Sequence, residues 1–144
     1  MKTYTDMLWT WMMPDTPGAA DTGRWRRHGG KWIVFDGKAK IEELARRLVL
    51  FIESGDIEGA KYWNKDPSAI NVYCLDEDSG KVSGILDELG AGERRVWEYD
   101  YAWGKNISRP VDFAFSWTAK FRTILQSYGL AGTINLIRQM LKRE

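Results

Sequence analysis

The stretch Arg94-Arg95-Val96-Trp97-Glu98-Tyr99-Asp100-Tyr101-Ala102-Trp103 alternates without a break. Arg95, Trp97, Tyr99, Tyr101 and Trp103 fall on one side, and Arg94, Val96, Glu98, Asp100 and Ala102 on the other. A period of two over ten residues predicts a long strand with one aromatic face. Upstream, Lys38 to Ser54 carries the other period. Ile41, Leu44, Ala45, Leu48, Phe51 and Ile52 share one stripe, and Gly55 stands where a helix cap belongs. Both kinds of element therefore build one core. A chain of 144 residues fits the roughly 100–200 residues of a single domain.

Working outward, Arg24 to His28 and Lys31 to Phe35 flank Gly29-Gly30, which predicts a tight hairpin, and Asp36-Gly37 closes its second strand. Ala60 to Asn64 and Ile70 to Leu75 predict two more strands around Pro67. Asp76-Glu77-Asp78-Ser79 offers caps and first-turn acids for a helix through Leu89, ended by Gly90. Beyond a loop over Gly104 to Pro110, Val111 to Ser116 reads as a last strand. Trp117 to Tyr128 and Ala131 to Lys142 read as helices parted by Gly129. At the other end, Tyr4, Met7, Leu8, Trp11 and Met12 recur at helical spacing until Pro14. The expected organisation is an arm or short helix over residues 1–21, then a single α+β domain over 22–144. Its sheet is mainly antiparallel and twisted, with helices on one face.

Composition excludes several classes. An apolar share of 44% with 28% charged residues excludes a disordered tail, a collagen-like repeat and a disulfide scaffold. Net charge is +1, which argues against a dedicated duplex-binding protein. The charge is uneven: residues 24–47 hold eight bases against three acids, and residues 53–100 twelve acids against five bases. Basic stretches on a shared face would attract phosphate, whereas solvated helix faces would leave them apart. The lone Cys74 lies in an apolar run and reads as a core residue, so a reducing, cytoplasmic setting is expected. No apolar run approaches the ~20 residues that span a bilayer, and the first ten residues lack the apolar core of a signal peptide.

The chemistry-bearing residues are few. One His and one Cys do not make a zinc site, so neither metal nor cofactor is expected. Asp76, Glu77 and Asp78 are better explained by a helix start than by a cation. No nucleophile elbow surrounds His28, and Gly29-Gly30-Lys31 lacks the phosphate-loop spacing. Glu98 and Asp100 would share a strand face, as an acid/base pair or as a solvated face balanced by Arg94. The richer signal is Arg24-Trp25-Arg26-Arg27-His28 with Lys31-Trp32. Arg offers a planar fork for phosphate, and Trp a stacking face for a base. The competing reading places Trp25 and Trp32 in the core, with the Arg residues facing solvent.

Thr22-Gly23-Arg24-Trp25, Ala60-Lys61-Tyr62 after Ser54-Gly55-Asp56-Ile57, Asn71-Val72-Tyr73-Cys74 and Glu98-Tyr99-Asp100-Tyr101 follow one another in an order that resembles the family of the basophilic leukaemia expressed protein. Members carry a Thr-Gly-Lys-Trp element, an Ala-Lys strand, a Val-Tyr strand and a Tyr-Lys-x-Asp strand. Here Arg24 replaces the usual Lys, and Glu98 stands in the last motif. The likeness spans about residues 22–115. It implies the fold of translation initiation factor 4E, the mRNA-cap-binding protein: a curved antiparallel sheet backed by helices. Together with the basic, Trp-bearing stretch, it gives an expected ligand site drawn from Arg24, Trp25, Arg26, Trp32, Lys61, Tyr73 and Tyr99.

Two functions follow, with a third beside them. The first is a binding module for a nucleotide, an RNA end or a phosphorylated ligand. The second, implied by the family's phosphothreonine-lyase-like label, is an elimination with Lys61 as base, His28 as acid and Arg24 and Arg26 on phosphate. The third is a protein–protein adaptor using Trp9 and Trp11. The expected cleft is bordered by Arg24, His28, Lys61 and Tyr99, with the N-terminal arm folded over part of the aromatic strand face.

Overall fold

The computed structural model describes residues 1–16, 22–101 and 110–141. Six strands form one curved, wholly antiparallel sheet: β1 (Lys2–Thr5), β2 (Trp9–Met13), β3 (Gly29–Asp36), β4 (Gly59–Trp63), β5 (Ser68–Leu75) and β6 (Arg95–Tyr99). Their order across the sheet is β1-β2-β4-β5-β3-β6. Among the described residues these helical stretches accompany them: α1 (Thr22–His28), α2 (Lys38–Glu53), α3 (Ser79–Glu88) and α4 (Pro110–Leu141), the last being two helical pieces that meet at Gly129, as expected. The α+β class and the antiparallel sheet are as expected.

Directly paired residues of antiparallel strands share a face. Trp32 opposes Val72 and Trp97, and Ala60 opposes Val72 and Met12. This set faces α2 and α3. Ile41, Leu44, Ala45, Leu48 and Ile52 of α2, with Val82, Ile85 and Leu86 of α3, are buried against it. Each Leu, Ile or Val among them contributes roughly 1.5–3 kcal/mol on leaving water. Helix α2 ends where Gly55 adopts φ 84°, the left-handed conformation that a glycine takes freely.

The other face carries Trp9, Trp11, Lys61, Asn71, Tyr73, Lys31 and Glu98. Here Lys120 of α4 is paired with Glu98, so α4 crosses this face at β6. Helix α4 bends at Gly129, whose φ is 67°, and Thr133 returns a hydroxyl to its carbonyl at 2.6 Å.

The structure corrects five expectations. Residues 2–13 form a hairpin at the sheet edge instead of a helix. The Asp6 carboxylate accepts the backbone N–H of both Leu8 and Trp9 at 2.7 Å, closing the turn, and Thr10 and Met12 turn inward while Trp9 and Trp11 turn outward. Arg24 to His28 form α1 instead of a strand. Arg26, Arg27 and His28 sit in its last turn, where cations suit the helix dipole. The alternating strand stops at Tyr99, and its Trp97 and Tyr99 face the helices. Val111 to Ser116 are helical, with Pro110 opening α4 as a first-turn proline can. The expected strand positions Ala102 and Trp103, and the loop over 104–109, lie outside the described residues.

Gly29-Gly30 opens β3 instead of turning a hairpin. Neither residue has positive φ. A Cβ on Gly29 would lie 2.3 Å from Trp25 Cδ2, and one on Gly30 would lie 2.6 Å from Trp97 Cζ2. The two glycines seat one indole on each face of the sheet.

Candidate functional site

On the face away from α2 and α3, a cleft of about 610 Å³ opens between β2, β4, β5, β3 and α1. Trp11, Trp25 and Tyr73 line it together with Lys31, Lys61, Glu58, Asp100 and Tyr101. Lys61 stands opposite Trp11 in the β2–β4 register. Its Nζ lies 4.4 Å from the Trp9 ring centroid and 4.3 Å from that of Trp11, well within cation–π range. Trp9 in turn stacks on Trp63, centroids 5.2 Å apart. Among the described residues Lys61 has no carboxylate at ion-pair distance.

Its charge is therefore costly. Burial, with the Lys31 ammonium adding repulsion, lowers Lys61 from the ordinary lysine value to about 8, against the opposing pull of Asp100 and Asp6. Lys31 fares differently: its Nζ meets Asp100 Oδ1 at 2.6 Å and lies 5.8 Å from the Tyr73 ring. The other Asp100 oxygen accepts the Trp25 indole N–H at 3.3 Å, and the Asp100 N–H donates to the Gly29 carbonyl at 3.1 Å. Asp100 thus ties α1 to β3 and fixes the Trp25 ring over Gly29. Burial and the Asp100 charge raise the Tyr73 hydroxyl, so it stays neutral. Burial, then Asp78, raises the Glu58 carboxyl above its usual range.

The residues expected from the sequence divide among three places. Trp25, Lys61 and Tyr73 share the cleft. Trp32 and Tyr99 lie on the opposite face: the Trp32 N–H donates to the Ser79 carbonyl at 2.8 Å, and the Tyr99 hydroxyl reaches Asp76 at 3.0 Å. His28 also bonds Asp76, at 3.1 Å. Arg24 is paired with Glu77 on the exposed flank of α1, and Arg26 is exposed in its last turn. The cleft expected between Arg24, His28, Lys61 and Tyr99 is not formed, because strand alternation sends Lys61 and Tyr99 to opposite faces. The described residues of the arm, 1–16, extend the sheet as two strands and do not fold over the aromatic strand face.

Sequence reading passed over Trp11, Lys31, Asp100 and Glu58 as cleft residues. The signal was present in Trp9-Thr10-Trp11-Met12, whose alternation pairs an aromatic outer side with an apolar inner one. Cys74 is buried, its thiol pushed up to about 12 by burial and nearby acids, so it is inert. Among the described residues no group of three or more His, Cys, Asp or Glu side chains could hold a metal ion, and no helix is long and apolar enough to cross a membrane.

No protein-family model, curated protein or solved structure matches this chain.

Proposed function

We propose that this protein is a binding module for a nucleotide or the phosphorylated end of an RNA, held in the Lys61 cleft. One observation carries the reading: an ammonium with no carboxylate at ion-pair distance among the described residues, set against two indole rings in a cleft walled by Trp25 and Tyr73. A phosphate entering there gives Lys61 a direct ion-pair partner, which Asp100 and Asp6 supply only at a distance, while a base stacks on the indole walls for about 1–3 kcal/mol. Asp100 and Glu58 add acceptors, or a donor, for the edge of a base. The family resemblance in the sequence leads to the same class of ligand through Trp25, Lys61 and Tyr73. An elimination reaction would need Lys61 and His28 over one substrate, and His28 is engaged with Asp76 away from the cleft lining.

Titration with AMP, followed by tryptophan fluorescence, tests this reading. Saturable quenching is expected, with about tenfold weaker binding in Lys61→Gln, the loss of roughly 1.4 kcal/mol from one charge-assisted contact. No quenching by AMP or a 5′-phosphorylated oligoribonucleotide at millimolar concentration overturns it.

A further inference from the structure

We infer that Lys61 is also a covalent capture site, whose amine condenses with an anionic aromatic aldehyde held in the same cleft. The inference rests on the cleft's geometry and not on the nucleotide reading. Two arrangements that make a lysine nucleophilic coincide here, burial in the cleft and a second cation, Lys31, and together they outweigh the attraction of the Trp9 and Trp11 ring faces for the ammonium. Nothing among the described residues pairs with the amine as a carboxylate would. With its value near 8, about half of Lys61 is neutral at pH 8, whereas an ordinary lysine is almost wholly protonated there. The indole and phenol walls suit a flat ring, and the Lys31 ammonium, which holds one Asp100 oxygen, has two further N–H donors for an anionic substituent.

The chemistry balances within the cleft. The Lys61 nitrogen lone pair attacks the aldehyde carbon, and one nitrogen proton passes to the former carbonyl oxygen to give the carbinolamine. The C–O bond then breaks and the oxygen leaves as water, while the nitrogen releases a proton to form the C=N bond. Amine and aldehyde become imine and one water, with no oxidant or reductant. Glu58, whose carboxyl burial raises above its usual range, lines the same cleft.

The probe is 4-formylbenzenesulfonate with cyanoborohydride to trap the imine, read by intact mass and peptide mapping. The chain has ten lysines. The expected result is a first adduct on Lys61, at least tenfold faster than on exposed Lys40 or Lys65. Its rate should rise through pH 8, where Lys31, Asp100, Glu58, Asp6 and Lys120 set the field around it. Lys61→Arg, melting like the parent, should lose this fast adduct and keep the slow ones. Equal labelling of all lysines, or labelling that spares Lys61, overturns the inference even if Lys61→Arg fails to fold, because the parent map alone decides it. Fast Lys61 labelling that AMP does not slow leaves the capture site standing and removes the nucleotide reading.

Discussion

The two faces of the sheet use tryptophan in opposite ways. On the face under α2 and α3, Trp32 and Trp97 meet edge to face at 5.7 Å, and the Trp32 N–H is satisfied by a backbone carbonyl. The surrounding residues are aliphatic, and Leu48, Ile52, Ile70 and Val72 are wholly buried. On the other face Trp9 and Trp11 lie against a half-buried lysine in a cleft that Trp25 also lines, and Asp100 is held by Trp25 and Lys31. Aromatic content alone therefore marks neither a core nor a site. What separates the faces is whether the polar atom beside the ring is already paired.

Breaking the covered face should have the largest effect. Leu48→Ala should cost about 3 kcal/mol, or roughly 10 °C in Tm, through lost burial and the cavity left behind. AMP affinity, measured well below the new Tm, should stay within twofold. A variant that keeps its stability would show that α2 is not the principal lid of the core.

The glycine pair divides the faces more finely. Gly29→Ala should displace Trp25, costing about 1–3 kcal/mol by overpacking and weakening AMP binding severalfold. Gly30→Ala should cost a similar amount by pushing on Trp97, yet leave AMP affinity unchanged. Denaturant melts paired with titrations read both numbers. Equal affinity losses in the two variants would contradict the separation of faces.

This pair also shows how far the sequence could be read. Lys38 to Ser54 was legible because its apolar stripe runs for four turns and ends at a glycine. Ile70 to Leu75 was legible because an apolar run that short, bounded by Pro67 and an acidic cluster, fits only a buried strand. Gly29-Gly30 misled because a turn and a close approach both require glycine, and only the three-dimensional position of Trp25 and Trp97 tells them apart. Residues 2–13 misled because their apolar positions satisfy both periods, and the Asp6 side chain decides between them. Of the site, Trp25, Lys61 and Tyr73 were legible as residue types. Their company with Trp11 and Asp100 depends on strand order, which places β2 beside β4 across many intervening residues.

A smaller effect sharpens the comparison through pH. The folded value of Lys61, about 8, lies below its unfolded value near 10.5. Between these the unfolded chain holds more protons, so Lys61 subtracts most stability below pH 8 and progressively less up to pH 10.5. Lys61→Met should melt a few degrees higher than the parent at pH 7, with the advantage shrinking toward pH 10. An advantage that stays constant with pH would show that the ammonium is not desolvated. Smallest of all is Arg24→Ala. The exposed pair with Glu77 contributes no more than about 0.5 kcal/mol, and neither Tm nor AMP affinity should change measurably. A clear loss of affinity would return Arg24 to the binding site.

The most direct test follows the indole N–H resonances of ¹⁵N-labelled protein during an AMP titration. Trp11 and Trp25, on the cleft walls, should shift in a saturable way, while Trp32 and Trp97 stay within their line widths. In Lys61→Gln the same two resonances should move only at about tenfold higher AMP. Shifts confined to Trp32 and Trp97, or no shift at any of the four, would contradict the assignment of the open face as the ligand site.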